Sequence, residues 1–142
     1  MIEKLAAQLR RDEGTKATVY KDTLGFDTIG VGRLIDSRKP GTGLRQDEID
    51  YLLRNDINDR VQALTKDLPW FDRLDEARRG VLTNMAFQLG TAGLLGFKST
   101  LALIAAGKYA EAAEQMLKSK WATQTPSRAK RLAEQMKTGE WK

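Results

Sequence analysis

The chain has 142 residues, enough for one domain with a buried core, and its 41% hydrophobic and 30% charged residues are typical of a folded globular protein. It contains no cysteine and no histidine, which excludes disulfides, thiolate chemistry and imidazole as a base or metal ligand. Proton transfer near neutral pH then falls to Asp, Glu, Lys, Tyr or water. Paired carboxylates are the leading candidates, and we expect neither a metal nor a cofactor.

The charge balance of 24 Lys and Arg against 19 Asp and Glu gives a net charge of +5. A surplus of this size fits weak contact with an anionic surface as well as it fits simple solubility, and its sign alone does not select the partner. No apolar run approaches the roughly 20 residues that span a bilayer, so we expect no transmembrane segment. The start of the chain, Met1 to Leu5, has no basic stretch followed by an apolar one, and we expect no secretory signal.

The first third of the chain predicts a short helix followed by a hairpin. Apolar residues recur at helical spacing from Ile2, and the helix is expected to end at Glu13, immediately before Gly14. Residues 18–21 and 26–29 favour β-structure and flank the turn-like residues 22–25. Residues 37–43 contain one Pro and two Gly and predict a loop.

The rest of the chain is predicted to be helical. From Arg45 the apolar residues fall at spacings of three and four for about five turns. Further helices are expected to end near Gly90, to cover residues 99–106 and 109–118, and to begin at Thr125-Pro126 with Thr125 as the N-cap. The class is therefore α+β: a small hairpin-sheet lobe (residues 14–44), a connecting helix (45–65) and a larger helical lobe (1–13 and 66–142) in one domain.

Three polar side chains of the predicted hairpin region could carry glycoside hydrolysis. Glu13 ends a helix, Asp22 begins a hairpin turn, and Thr28 lies on the returning strand. That reaction needs a carboxylic acid to protonate the leaving oxygen and a carboxylate opposite it, and a nearby hydroxyl can help to hold water. Spacing alone does not single out Glu13 and Asp22 among 19 acidic residues. Without further information it favours the alternative that both are surface charges and that Thr28 is an ordinary strand residue.

Several sequence motifs, which follow one another along nearly the whole chain, distinguish Glu13, Asp22 and Thr28 from an arbitrary set of polar residues. They are Asp12-Glu13-Gly14, Tyr20-Lys21-Asp22-Thr23, Thr28-Ile29-Gly30-Val31-Gly32, Ala77-Arg78-Arg79, Asn84-Met85-Ala86-Phe87-Gln88, Gly96-Phe97, Trp121 and Gln124-Thr125-Pro126-Ser127-Arg128-Ala129-Lys130-Arg131. The set resembles the phage lysozyme family, glycoside hydrolase family 24. The resemblance implies a lysozyme-like fold, with an active-site cleft between the two lobes.

The resemblance also implies a role for each residue of the trio. Glu13 is expected to be the general acid, and Asp22 and Thr28 are expected to position the attacking water. The substrate would be the β-1,4 bond between N-acetylmuramic acid and N-acetylglucosamine of peptidoglycan. Carboxylates roughly 6.5–9.5 Å apart would leave room for that water and would invert the anomeric configuration.

Five further residues match the family by position. Leu34, Phe87, Thr100 and Gln115 would contact the sugars, although Thr100 and Gln115 depart from the serine and asparagine of well-known members. Arg128 matches an arginine that approaches the catalytic glutamate and would support it. The chain also differs from longer members after Leu34, because residues 35–43 alone make the connection to the next helix.

Other side chains are expected to have structural roles. The resemblance suggests an ion pair between Arg33 and Asp56. Large aromatic residues are more often packing residues than sugar platforms, and this is the role expected of Trp70, Phe71, Phe97 and Trp121.

The resemblance predicts a monomeric enzyme of host cell lysis that waits in the host cytoplasm for holin-dependent release to the wall. Specific nucleic-acid binding is not expected. Two alternatives stay open at this point. A lytic transglycosylase needs one acid but no attacking water, and its products would carry 1,6-anhydro ends. A non-enzymatic basic module would bind wall polymer or nucleic acid, and it would not depend on Glu13.

Overall fold

The computed structural model describes residues 1–142. Its helices are α1 (Ile2–Glu13), α2 (Gln46–Asp67), α3 (Glu76–Leu89), α4 (Thr91–Leu95), α5 (Lys98–Ala105), α6 (Tyr109–Leu117), α7 (Lys120–Gln124) and α8 (Pro126–Thr138), with a 3-10 turn at Phe71–Arg73. Strands β1 (Lys16–Lys21), β2 (Asp27–Gly30) and β3 (Arg33–Leu34) form one antiparallel sheet in that order. None of the helices combines the length and the apolar character needed to cross a membrane.

The chain divides into two compact units, an N-terminal unit (Met1–Leu52) and a C-terminal unit (Leu53–Lys142). The N-terminal unit contains α1, the sheet and the start of α2, and the C-terminal unit contains the remaining helices. The α+β class and the order of elements agree with the sequence prediction. The predicted assignment of residues 1–13 to the helical lobe stays a prediction.

The N-terminal unit follows the sequence pattern closely. Helix α1 has the predicted bounds, and the hairpin strands lie within a residue or two of their predicted positions. Strand β3 was not predicted, because two residues are too few to show an alternating pattern. It pairs with β2 through Thr28 opposite Leu34, which places two predicted site residues side by side.

The start of helix α2 is stabilised by the side chain of Glu48, which bonds the residue before the helix. Glu48 accepts the backbone N–H of Arg45 at 2.9 Å, half of a capping box, although no side-chain N-cap precedes the helix. Arg33 donates to the same carboxylate at 2.8 Å, and this hydrogen bond is the main cause that lowers the pKa of Glu48. Within the N-terminal unit Arg33 pairs with Glu48, and the ion pair expected between Arg33 and Asp56, which lie in different units, stays a prediction.

The C-terminal unit contains a continuous apolar core. Phe71 and Trp121 are buried, and Trp70 and Phe97 pack against the core, so all four aromatic residues have the packing role expected of them. The rings of Phe97 and Trp121 meet edge to face at 6.1 Å, and the indole N–H of Trp121 donates to Gln88 at 2.9 Å. The rest of the core is mainly aliphatic: Leu64, Val81, Leu82, Met85, Leu94, Ile104, Met116, Leu132 and Met136.

Helix α8 begins at the predicted proline with Thr125 at the predicted N-cap position, but the Thr125 side chain makes no capping hydrogen bond. Pro126 occupies the first helical turn. The hydroxyl of Thr125 donates back to the carbonyl of Trp121 in α7 at 3.0 Å, instead of accepting an N–H of α8. The carbonyl of Trp121 also accepts the backbone N–H of Thr125 at 2.9 Å, so α7, which the sequence pattern did not predict, binds both donors of Thr125.

Arg78 on α3 holds the last turn of α8. Its Nε donates to the carbonyl of Met136 at 2.7 Å, and its Nη2 donates to that of Lys137 at 2.9 Å. The guanidinium also pairs with Asp75 and lies 3.7 Å from the ring centroid of Tyr109. One side chain therefore satisfies helix-end carbonyls that would otherwise lack partners.

We predict that Arg78→Ala lowers the free energy of unfolding by about 3 kcal/mol, because it removes several charge-assisted hydrogen bonds from a mostly buried group. Urea denaturation monitored by circular dichroism measures the change. Arg73→Ala is the control, since Arg73 is exposed and forms no ion pair, and it should cost less than about 0.5 kcal/mol. Equal losses in the two variants would contradict this role.

Candidate functional site

Glu13 is the last residue of α1 and its side chain is exposed. Its carboxylate lies against the backbone of Gly32, so that a Cβ at Gly32 would be 3.4 Å from Oε2 and 3.6 Å from Cδ. Gly32 has φ +68°, which glycine adopts far more readily than other residues. Within the N-terminal unit Glu13 forms no hydrogen bond and no ion pair, so the carboxylate is available for chemistry.

Asp22 begins the hairpin loop between β1 and β2. A three-residue loop follows it, with the N–H of Gly25 donating to the Asp22 carbonyl at 3.0 Å and Gly25 at φ +82°. The side-chain Oδ1 accepts the N–H groups of Leu24 at 2.9 Å and Phe26 at 2.8 Å. Asp22 therefore has a structural role in the turn, performed by one oxygen, and its Oδ2 has no partner in the unit.

Thr28 lies on β2, the strand that runs from the hairpin loop towards the Gly32 turn against which Glu13 packs. Its side chain is buried, and its hydroxyl donates to the carbonyl of Phe26 at 2.9 Å. The hydroxyl oxygen can still accept a hydrogen bond in this arrangement. The sheet thus places Asp22 at one end of β2, Glu13 at the other end and Thr28 within the strand.

The segment after β3 folds back onto the hairpin. Asp36 is 2% exposed, and its carboxylate accepts the N–H of Asp27 at 2.9 Å. Arg38 donates to both of its oxygens, from Nε at 2.8 Å and from Nη2 at 2.6 Å. The Arg38 side-chain hydrogen bonds, followed by the backbone N–H groups of Asp27 and Arg38, hold the pKa of Asp36 well below its usual range. The carboxylate is therefore ionised, paired and buried.

Phe87 and Arg128 come together in the C-terminal unit. Both line a mostly apolar cavity of about 500 Å³, together with Asn84. Arg128 donates to the side-chain oxygen of Asn84 from Nε at 2.9 Å and from Nη2 at 2.7 Å. Phe87 is 43% exposed. The two motif residues Asn84 and Arg128 are therefore a hydrogen-bonded pair, which the sequence did not reveal because 44 positions separate them.

Thr100 and Gln115 lie elsewhere in the C-terminal unit. Thr100, on α5, is 4% exposed, and Gln115, on α6, is half-buried. Neither lines the cavity that Phe87 and Arg128 share, and their sugar-binding roles stay predictions, as does that of Leu34. No group of three or more Asp or Glu side chains is arranged to hold a metal ion.

Comparison with known proteins gives the class of this chain. Residues 10–137 match the phage lysozyme family. The chain is 32% identical to probable T4-type lysozyme 1 and to probable T4-type lysozyme 2 of Dictyostelium discoideum, in each case over 98% of this chain and 96% of the relative. It is 31% identical to the pre-baseplate central spike protein Gp5 of Enterobacteria phage T4, over 95% of this chain and 28% of that protein.

The fold and the sequence matches together define a glycoside hydrolase with the α+β lysozyme-like fold. The chain belongs to the phage lysozyme family, and it is a lysozyme, an enzyme that hydrolyses peptidoglycan.

Proposed function

We propose that the enzyme is a muramidase that cleaves the β-1,4 bond between N-acetylmuramic acid and N-acetylglucosamine, with Glu13, Asp22 and Thr28 as the catalytic residues. The observation that carries this proposal is the placement of the trio on one sheet unit. A free carboxylate lies at one end of β2, a carboxylate with one free oxygen lies at the other end, and a hydroxyl lies within the strand.

Each side chain has a definite part in the proposed reaction. Protonated Glu13 gives its proton to the glycosidic oxygen, which leaves as the 4-hydroxyl of N-acetylglucosamine as its bond to C1 of N-acetylmuramic acid breaks. Water attacks C1 from the opposite face and loses a proton to Asp22 through Oδ2, the oxygen that the hairpin loop does not use. Thr28 accepts a hydrogen bond from that water. Solvent then restores both protonation states, and the anomeric configuration is inverted.

Digestion of purified sacculi tests the function. The wild-type enzyme should release soluble muropeptides, and borohydride reduction followed by mass spectrometry should place the new reducing end on N-acetylmuramic acid. Reducing ends on N-acetylglucosamine would contradict the assigned bond. Ends of the 1,6-anhydro type would establish a lytic transglycosylase, and binding without release would establish a non-enzymatic wall-binding module.

The packing of Glu13 against Gly32 gives a further prediction. We expect Gly32→Ala to lower kcat on sacculi about tenfold, because the methyl group contacts the Glu13 carboxylate and restricts its access to substrate. The matched control is Gly30→Ala, since Gly30 also has φ +68° but a Cβ added there would meet no atom within 4 Å. Both should lose about 1–2 kcal/mol of stability from the strained backbone. Equal kcat values for Gly32→Ala and Gly30→Ala, measured where both variants are fully folded, would contradict the role of Glu13 as general acid.

We also propose that α7 and α8 make a weak contact with an anionic wall surface. Between Lys118 and Lys137 the sequence has six basic residues and one acidic residue, and the rest of the chain has equal numbers of each, so this segment contains the whole net charge of +5. Five of the six basic residues are exposed and form no ion pair: Lys118, Lys120, Lys130, Arg131 and Lys137. Such a surface attracts anionic polymers at low ionic strength.

Co-sedimentation with purified sacculi tests this contact, with Glu13→Gln as the background to prevent digestion. The triple variant Lys130→Gln, Arg131→Gln, Lys137→Gln should reduce the bound fraction about threefold at low salt, and the difference should vanish at high salt. The control triple variant Arg54→Gln, Lys66→Gln, Arg73→Gln removes the same charge from exposed positions outside the segment. Equal losses in both variants would show that only net charge matters.

A further inference from the structure

The buried Asp36 carboxylate and the Arg38 side chain form an ion pair that also contacts the catalytic hairpin. The guanidinium Nη2 of Arg38 donates to the carbonyl of Gly25 at 3.1 Å, in addition to its bond with Asp36. Asp36 in turn accepts the N–H of Asp27, the first residue of β2. The Asp36–Arg38 pair is therefore attached to the hairpin on both sides of Phe26.

The peptide group that Arg38 contacts is the one that binds Asp22. The carbonyl of this Gly25–Phe26 peptide accepts from Arg38, and its N–H donates to Asp22 Oδ1 at 2.8 Å. A hydrogen bond at the carbonyl polarises the peptide and strengthens its N–H as a donor. One rigid planar group thus connects the guanidinium to the carboxylate that is proposed to activate water.

The ring of Phe26 also contacts this segment. The Arg38 guanidinium lies 5.3 Å from the ring centroid, and Lys39 Nζ lies 4.3 Å from it, both within cation–π range. The segment itself is fixed by a turn in which the N–H of Lys39 donates to the carbonyl of Asp36 at 2.9 Å. The segment of residues 35–43, which is shorter here than in some family members, therefore packs against the hairpin and restrains it.

We infer that Arg38, fixed by the buried Asp36, is a positioning residue for Asp22 and acts through the Gly25–Phe26 peptide group. The inference rests on the proposed role of Asp22. Arg38 itself does not touch the reacting atoms. It sets the orientation of the Asp22 carboxylate, so its loss should reduce kcat while leaving KM for sacculi nearly unchanged.

The test compares Arg38→Met with Arg45→Met by steady-state kinetics on sacculi. Arg45 is a matched control because it also pairs with an acid two positions away, Asp47, but does not contact the hairpin. We expect Arg38→Met to lower kcat about 30-fold with KM within about twofold, as for a misplaced catalytic group, and Arg45→Met to leave both constants unchanged. In nitrogen-15 NMR spectra the Phe26 amide proton should move upfield in Arg38→Met, since its hydrogen bond weakens.

If Arg38→Met does not fold, Arg38→Lys is the second test variant, because it keeps a cation beside Asp36. A single ammonium does not reproduce the guanidinium fork that joins Asp36 to Gly25, so kcat should still fall about fivefold with a wild-type melting temperature. A double-mutant cycle adds the decisive comparison: Asp22→Asn with Arg38→Met should be no slower than Asp22→Asn alone. The inference would be overturned if a folded Arg38 variant kept the wild-type kcat and an unmoved Phe26 amide signal while Asp22→Asn was impaired. Full activity of Asp22→Asn would instead overturn the proposed function.

Discussion

Glu13→Gln is expected to reduce kcat on purified sacculi by about a thousandfold or more, since an amide cannot donate the proton that the leaving oxygen needs. The variant should fold normally. Glu13 is exposed, ends α1 and forms no ion pair or hydrogen bond within the N-terminal unit, so its charge contributes little to that unit. Release of reducing sugar ends, followed over hours, measures the residual rate, and thermal denaturation verifies the fold.

Glu3→Gln supplies the matched control for this substitution. Glu3 lies in the first turn of the same helix and is also exposed, so the control removes the same charge and the same group from α1. It should retain wild-type kcat within about twofold. Comparable losses in both variants, or full activity in Glu13→Gln, would show that Glu13 is a surface charge and not the general acid.

Asp22→Asn is expected to reduce kcat about a hundredfold with little loss of stability. The asparagine oxygen can still accept the N–H groups of Leu24 and Phe26, so the hairpin loop should keep its shape. What the amide cannot do is take a proton from water. Asp22→Ala removes the acceptor as well, and it should cost a further 1–2 kcal/mol, about the value of two loop hydrogen bonds.

The pair of substitutions at Asp22 separates its structural role from its chemical role. Sacculus hydrolysis and urea denaturation are measured on both variants. Asp27→Asn serves as the control, because Asp27 is a partly exposed acid on the same hairpin that pairs with Lys21. If Asp22→Asn kept wild-type kcat while Asp22→Ala only lost stability, Asp22 would be a turn residue and nothing more.

Local pattern was sufficient to predict much of the fold. Helix α1, the hairpin and the run of helices from Arg45 are each encoded by patterns of neighbouring residues, and these elements lie where they were expected. The misses involve elements too short to show a period, namely β3, α4 and α7. Thr125 is the N-cap residue of α8 as predicted, but its hydroxyl donates to the carbonyl of Trp121 in α7 and does not cap α8.

The partners of charged side chains were harder to predict than the helices and strands. The resemblance suggested Asp56 as a partner of Arg33, and it did not point to Glu48, which binds Arg33 within the N-terminal unit and also accepts the N–H of Arg45. The link between Arg38 and Asp22 passes through a backbone peptide, and no pattern of residue types encodes such a path. Candidate catalytic residues were recognisable from motifs, and the side chains that brace them became visible only in three dimensions.

The most direct measurement of the central claim is the configuration of the first product. If Glu13 protonates the leaving oxygen while Asp22 and Thr28 hold the attacking water on the opposite face, the new reducing end must form as the α-anomer. Proton NMR of a soluble peptidoglycan oligomer, recorded before mutarotation, should show α-anomeric N-acetylmuramic acid first and the β-anomer growing in later. Initial formation of the β-anomer, or of a 1,6-anhydro end, would contradict this account.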